Sequence, residues 1–290
     1  MKNIVLVLIL ALVNSQINGQ DTDFPYPSFS PKGNIAQTVG NTLIEVEYER
    51  PSVRKRQIFG GLVPWNKVWR TGAGNCTKIK FDKDVKVGGQ NVSAGNYSLF
   101  TIPNTKDWVV IINKDTGLYG TSRYDFKKDV ARFVVIPNES SRFYETLTID
   151  IELIEHNAKM YISWANTQIS FDIETSTNEN IEKLIREELL TGKNKVSDNY
   201  AGAAAYLAFR GKDLTNALKL ADKGIELDKN SEWIYVIKME IYESLRLYDN
   251  ALEEINQLLT ILKRNKEDRR DEIQKMESEY ERINKLKKQP

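Results

Sequence analysis

The chain has 290 residues, with 41 lysines and arginines against 40 aspartates and glutamates, one histidine and one cysteine. A charge this balanced exerts no overall pull on nucleic acid or on an anionic membrane, and one cysteine excludes an internal disulfide framework. A single histidine excludes a multi-histidine metal site, and no cofactor is expected.

Met1 to Asn3 form a short basic start, Ile4 to Val13 an unbroken apolar run, and residues 14–20 a small polar stretch. This is the pattern of a secretory signal peptide. The run is too short to cross a bilayer, which needs roughly 20 residues, and no transmembrane segment is expected elsewhere. Removing residues 1–20 deletes one lysine and no acid, leaving 40 of each sign. The expectation is export to the periplasm or outer envelope, and not as a lipoprotein, because no cysteine stands near the cleavage region to accept a lipid.

Residues 21–34 are proline- and serine-rich and read as an extended lead-in. A β-sandwich domain is then expected over residues 35–175. From Thr42, Ile44, Val46 and Tyr48 alternate with Glu45, Glu47 and Glu49, as in a half-buried strand that Arg50-Pro51 ends. Ile79 and Phe81, then Val85 and Val87, resume the alternation before a turn at Gly88-Gly89. Strands follow at residues 97–102, 108–112, 130–136, 144–153, 159–164 and 168–173; in the 144–153 strand Leu147, Ile149, Ile151 and Leu153 face inward. Some nine short strands with no helical period indicate an antiparallel sandwich, jelly-roll-like or immunoglobulin-like.

Between the first strands, residues 58–77 are dense in glycine and tryptophan, too irregular for a helix and too apolar for a linker. Such a stretch predicts a loop folded onto the core, presenting a few groups from a rigid support.

Past Ser176 the period becomes helical, and an all-α domain is expected over residues 176–290. Asn178 to Asn180 offers an N-cap for a helix over 181–190, ended by Thr191-Gly192. Ala217 and Ala251 then stand 34 residues apart, and the same offset pairs Leu214 with Tyr248, Leu218 with Leu252 and Ile225 with Leu259. A 34-residue helix-turn-helix period resembles the tetratricopeptide repeat, whose units bury their apolar faces by stacking. Two units are expected, about 199–230 and 231–264, with a C-terminal capping helix docked through Ile273, Met276, Tyr280 and Ile283.

The strand region also resembles a known family. Tyr48, Arg50-Pro51-Ser52, the run from Ile58 to Pro64, Val68-Trp69-Arg70-Thr71-Gly72-Ala73, Ala94-Gly95, Tyr97 to Pro103 and Trp108 are similar to the signature of domain-of-unknown-function family 2911. The resemblance covers about residues 28–173. It implies an exported protein of Bacteroidetes-type bacteria, often with tetratricopeptide-like helices behind the domain, and no established activity. Two departures stand out: the family usually has glycine where Lys55 stands, and Asn-Glu-Ala-Thr where this chain has Gly74-Asn75-Cys76-Thr77.

Among candidate groups, His156 lies in a turn between strands and reads as a surface residue. Cys76 reads as a small buried side chain, and the carboxylate pairs Glu45 with Glu47 and Asp82 with Asp84 as solvated strand faces. Arg70 is the strongest candidate, because its planar fork of donors suits a carboxylate or phosphate. On one reading Trp65, Trp69, Arg70, Thr71 and Asn75 form a ligand-binding patch for a glycan or an anionic small molecule. On the other, Arg70 pairs with a buried acid or caps carbonyls and fixes the loop. The favoured function is a non-catalytic exported binding or scaffold protein, its helical repeats offering a surface to a protein or peptide and the tryptophan/arginine loop a site for a small ligand. The alternative is an envelope hydrolase of glycan or peptide that uses Arg70 and carboxylates.

Overall fold

A computed structural model describes residues 26–264 and 269–288; the expected signal peptide lies outside them, as do the first residues of the lead-in. Ten antiparallel strands form two sheets among the described residues. The first sheet orders β1 (Lys32–Val39), β2 (Thr42–Glu49), β3 (Thr77–Phe81), β6 (Gly95–Pro103), β7 (Trp108–Asn113) and β8 (Asp129–Val135). The second orders β5 (Gln90–Val92), β4 (Val85–Val87), β10 (Asn157–Thr175) and β9 (Asn138–Ile154).

The alternating residues of β2, β3 and β9 supply the core between the sheets. Ile44, Val46 and Tyr48 meet Ile79, Phe81, Leu147 and Ile149 there, all buried. Burial of this kind contributes about 25 cal/mol per Å² of apolar surface, and no disulfide is present to share the task. The outward glutamates take lysine partners: Glu45 meets Lys80 at 2.5 Å, and Glu47 lies near Lys32 and Lys78. Asp82 and Asp84 accept backbone N–H groups of Leu43 and Ala94. These acids are used structurally.

Three expectations change. β1 begins inside the expected lead-in, pairing with β2 from Lys32↔Glu49 to Val39↔Thr42. The two strands expected at 159–164 and 168–173 are one, β10, whose register against β9 shifts on either side of Ala165. Leu153 is half exposed rather than inward, since β9 is exposed over its last three residues, Glu152 to Ile154.

The helical part starts at α1 (Thr177–Leu184), where Ser176, not Asn178 to Asn180, holds the N-cap position without a side-chain capping bond, and a π-helical turn over Ile185–Leu189 extends the helix. Gly192, at φ +70°, ends it as expected. Two helical hairpins follow: α2 (Ser197–Phe209) with α3 (Leu214–Leu227), and α4 (Glu232–Ser244) with α5 (Tyr248–Arg264). Ala217 and Ala251, both fully buried, occupy equivalent places in α3 and α5. Small side chains there let the paired helices approach closely. Lys238 of α4 ties the hairpins together, its Nζ 2.7 Å from Glu254 of α5 and 2.9 Å from Asp222 of α3. The last helix, α6 (Arg270–Lys287), docks on α5 through Met276 and Ile283, with Ile273 and Tyr280 half-buried beside them. None of the described helices is long and apolar enough to cross a membrane.

Candidate functional site

The connection between β2 and β3, residues 50–76, spans both sheets. Its first part pairs with β9: the Val53 N–H donates to Glu145 O at 2.7 Å, and Leu147 donates to Pro51 O at 3.0 Å. Its second part pairs with β6: Trp69 N–H donates to Thr101 O at 2.7 Å, and Thr101 returns a bond to Trp69 O at 2.9 Å. Between them the chain folds back on itself, with Ile58 and Val63 buried and bonded to each other through the backbone. At the bend Gly60 has φ +80°, and a Cβ there would stand 2.3 Å from Trp65 Nε1. Only glycine allows the indole to lie over the bend.

Phe59 anchors the loop in an aromatic cluster that holds four of the five tryptophans. Its ring centroid lies 4.7 Å from that of Trp108, 6.0 Å from Trp69, 6.1 Å from Trp65 and 6.2 Å from Trp164. Trp69 and Trp164 are stacked, 5.7 Å apart at 18°. Such contacts add about 0.5–1.5 kcal/mol per pair to the burial itself. They make the loop a rigid part of the core rather than a flap.

Arg70 is held by its neighbours. Trp69 Nε1 donates to Gly72 O at 3.0 Å, and Thr77 N–H donates to Arg70 O at 3.1 Å. Thr71 is fully buried, its hydroxyl 3.1 Å from that of Thr101 and its carbonyl accepting the Thr77 hydroxyl at 2.7 Å. That network keeps a β-branched residue at φ +54°, a conformation such residues rarely adopt. Strain of this type persists only where the surroundings over-determine it, and it clusters at functional sites.

The Arg70 side chain, by contrast, makes no hydrogen bond or ion pair among the described residues, and its Nε is fully buried without an acceptor. Trp164 Nε1 is in the same state, on a residue only 2 % exposed. A buried donor without a partner costs about 1–3 kcal/mol. Both residues line a cleft of about 600 Å³. Arg54, Arg56 and Lys67 line it too, and no carboxylate, histidine or cysteine does so among the described residues. Its apolar wall comes from Phe29, Val63, Val68, Trp69 and Trp164.

Arg54 and Arg56 are set in place by backbone carbonyls. Arg54 Nη2 donates to Phe29 O at 2.9 Å, while Arg56 donates to Val53 O at 3.1 Å and Ser52 O at 2.6 Å. Neither guanidinium is paired with a carboxylate among the described residues; the Glu145 carboxylate meets only the backbone N–H of Arg54. A cleft with four cationic side chains and no opposing acid holds a positive potential that attracts anions.

Of the five residues singled out from sequence, Trp69 and Arg70 line this cleft. Trp65 stacks on Phe59 outside its lining, and Thr71 is buried in the backbone network beneath it. Asn75 faces the carboxylate of Glu49, which accepts its backbone N–H at 3.3 Å. Position 75, one of the two departures from the family pattern expected from the resemblance, is therefore outside the cleft lining. Sequence reasoning did not single out Trp164, Arg54, Arg56 or Lys67 for the cleft. The basic residues had a usable signal, since they flank the same loop. Trp164 had none, because only the strand order brings β10 under Trp69.

His156 stands at the β9–β10 turn as expected, but it is not an isolated surface group. Its ring stacks on Tyr206 of α2, 5.8 Å away at 15°, and its Nδ1 lies 2.7 Å from Asn178 Oδ1. Cys76 is buried, with its Sγ 3.0 Å from Ser98 Oγ.

No curated protein matches the chain. A family model described as a protein of unknown function, DUF2911, matches residues 30–173. That interval runs from just before β1 to within two residues of the end of β10 and holds the loop, the aromatic cluster and Arg70, so the sandwich of this chain belongs to the DUF2911 family.

Proposed function

We propose that this chain is an exported, non-catalytic binding protein. The sandwich takes a small anionic ligand in the Arg70 cleft, and the tetratricopeptide-like helical hairpins offer a surface to a protein or peptide. The observation that carries the reading is the Arg70 side chain: carried on a tightly bonded backbone, partly buried, without a protein partner, and accompanied in the cleft lining by three further cations and no acid. Guanidinium groups set in this way recognise carboxylates and phosphates through paired hydrogen bonds. Acid–base chemistry would call for a carboxylate or imidazole within reach, and the cleft offers cations and aromatic faces instead. The signal-peptide pattern at residues 1–20 supports export.

Calorimetric titration of the purified chain against a panel of small carboxylates, sulfonates and phosphates tests this. At least one should bind to wild type and be lost in Arg70→Ala while the melting temperature stays within a few degrees. Binding by none, or binding unchanged in Arg70→Ala, would remove the site. Turnover of any bound compound would remove the non-catalytic part.

A further inference from the structure

We infer that the cleft is shaped for a small organic phosphate, a phosphomonoester carried on an apolar or aromatic body. The inference rests on the anion-binding reading above and narrows it to one chemical class.

Charge comes first. Arg54, Arg56, Lys67 and Arg70 line the cleft without an opposing carboxylate. A monocarboxylate would offset one of these four charges. A phosphomonoester brings about −1.5 to −2 at neutral pH and three strong acceptor oxygens. Donor supply points the same way. Arg70 keeps all its guanidinium donors free of protein acceptors, with Nε already stripped of solvent. Arg54 and Arg56 are oriented by backbone carbonyls yet retain donors for a ligand. Trp164 Nε1 adds a neutral donor that has no other acceptor.

The body of the ligand follows from the walls. Trp69 and Trp164 lie against the same space as the cations, so the anionic head must be joined to a group that gains from aromatic contact. A volume of about 600 Å³ suits a molecule of small-ligand size, for which sites of roughly 300–1,000 Å³ are usual. The near-zero net charge of the chain gives no general attraction to an anionic bilayer, so the occupant is a soluble ester rather than a lipid surface.

The test titrates the purified chain with phenyl phosphate, inorganic phosphate and benzoate, following heat and tryptophan fluorescence. Phenyl phosphate should bind about tenfold more tightly than either of the others. Arg70→Lys should weaken it about tenfold, because an ammonium cannot reproduce the fork. Trp164→Phe keeps the ring and deletes the donor, and should weaken it by a smaller factor. Should either fail to fold, Lys67→Gln at an exposed position serves, with a loss of about threefold. Benzoate binding as tightly as phenyl phosphate overturns the phosphate class and leaves the anion site standing. Inorganic phosphate binding as tightly overturns the apolar body. Sedimentation with phosphatidic acid vesicles without binding of phenyl phosphate overturns the soluble ligand. Failure of all three compounds overturns this inference, and the reading beneath it falls only when the wider panel of anions fails as well.

Discussion

Arg54 and Lys55 adopt left-handed backbone conformations in succession, at φ +47° and +57°. The two positions differ in what holds them. Arg54 is fixed from both ends, its N–H donating to Glu145 Oε1 at 2.9 Å and its guanidinium stacking 4.8 Å from the Phe29 ring while bonding the Phe29 carbonyl. Lys55 is exposed, and its side chain has no bonding partner among the described residues. A side chain in this region costs about 1–2 kcal/mol, and nothing around Lys55 offsets it. Glycine removes the penalty and returns roughly 0.5–1 kcal/mol of it as backbone entropy. Lys55→Gly should therefore stabilise the chain by about 0.5–1 kcal/mol, read as a higher urea midpoint. Since the Lys55 side chain is outside the cleft lining, ligand affinity should not follow; a lower midpoint would show that Lys55 is held by something other than its backbone.

At the scale of elements, the helices show how charge and apolar stripe divide the task. Met276 and Ile283 seat α6 on α5, while Arg282 fixes its angle to α4 through a two-pronged pair with Glu243, at 2.6 and 2.7 Å. The Arg282 hydrogen bonds hold the Glu243 carboxyl below the usual carboxylate range, with burial opposing them. A carboxylate whose pKa is depressed on folding stabilises the fold above its unfolded value, about 4.3, and loses that contribution as pH falls through the folded value. Both side chains are partly exposed, so solvent screening limits the gain to about 0.5–1 kcal/mol. Unfolding free energies of wild type and Glu243→Gln from urea titration should differ by this amount at neutral pH and converge as pH falls below the unfolded value and through the lowered folded one. A gap that stays constant over the whole range would mean the pair is not the cause.

The stripe of α6 was readable from sequence because a docked helix must repeat its apolar residues every three or four positions, and the inward Leu147, Ile149 and Ile151 of β9 were readable because a half-buried strand must alternate. β1 was not. As an edge strand it has one neighbour, β2, and although its burial alternates, two of its four inward positions are Gly33 and Gln37, so no apolar alternation marks it in the sequence. The continuity of β10 was hidden for another reason. The irregularity at Ala165, φ +53°, uses neither the glycine nor the proline that announces a break. Within the cleft, Arg70 was legible as a donor fork beside tryptophan, whereas Trp164 depended on a pairing between distant segments.

For the whole molecule, what matters is whether the helices are carried at a fixed angle to the sandwich or swing from it. Two turns of the sandwich grip the start of α1. Asn41 N–H, in the β1–β2 turn, donates to Thr177 Oγ1 at 3.0 Å, and the adjacent Gly40, at φ +55°, lies so close that a Cβ would stand 2.3 Å from the same oxygen. At the β9–β10 turn the polar groups order themselves. Arg210 can only donate, and does so to the Tyr206 hydroxyl at 2.5 Å; Tyr206 therefore passes its own proton to Asn178 Oδ1 at 2.9 Å. Asn178 Oδ1 then accepts from His156 as well, which requires the proton on Nδ1. One carbonyl oxygen thus joins a strand turn to α2. Each such bond contributes about 0.5–1.5 kcal/mol, and the His156–Tyr206 stack adds to them. Asn178→Ala deletes both acceptor contacts at an otherwise tolerant helix position, so the helical part should gain freedom against the sandwich. Small-angle scattering should record a larger radius of gyration, and limited proteolysis should cut faster around residues 175–178, while the melting transition of the sandwich itself stays put. Identical scattering and cleavage in the variant would show that packing at Gly40 and Thr177 alone sets the angle.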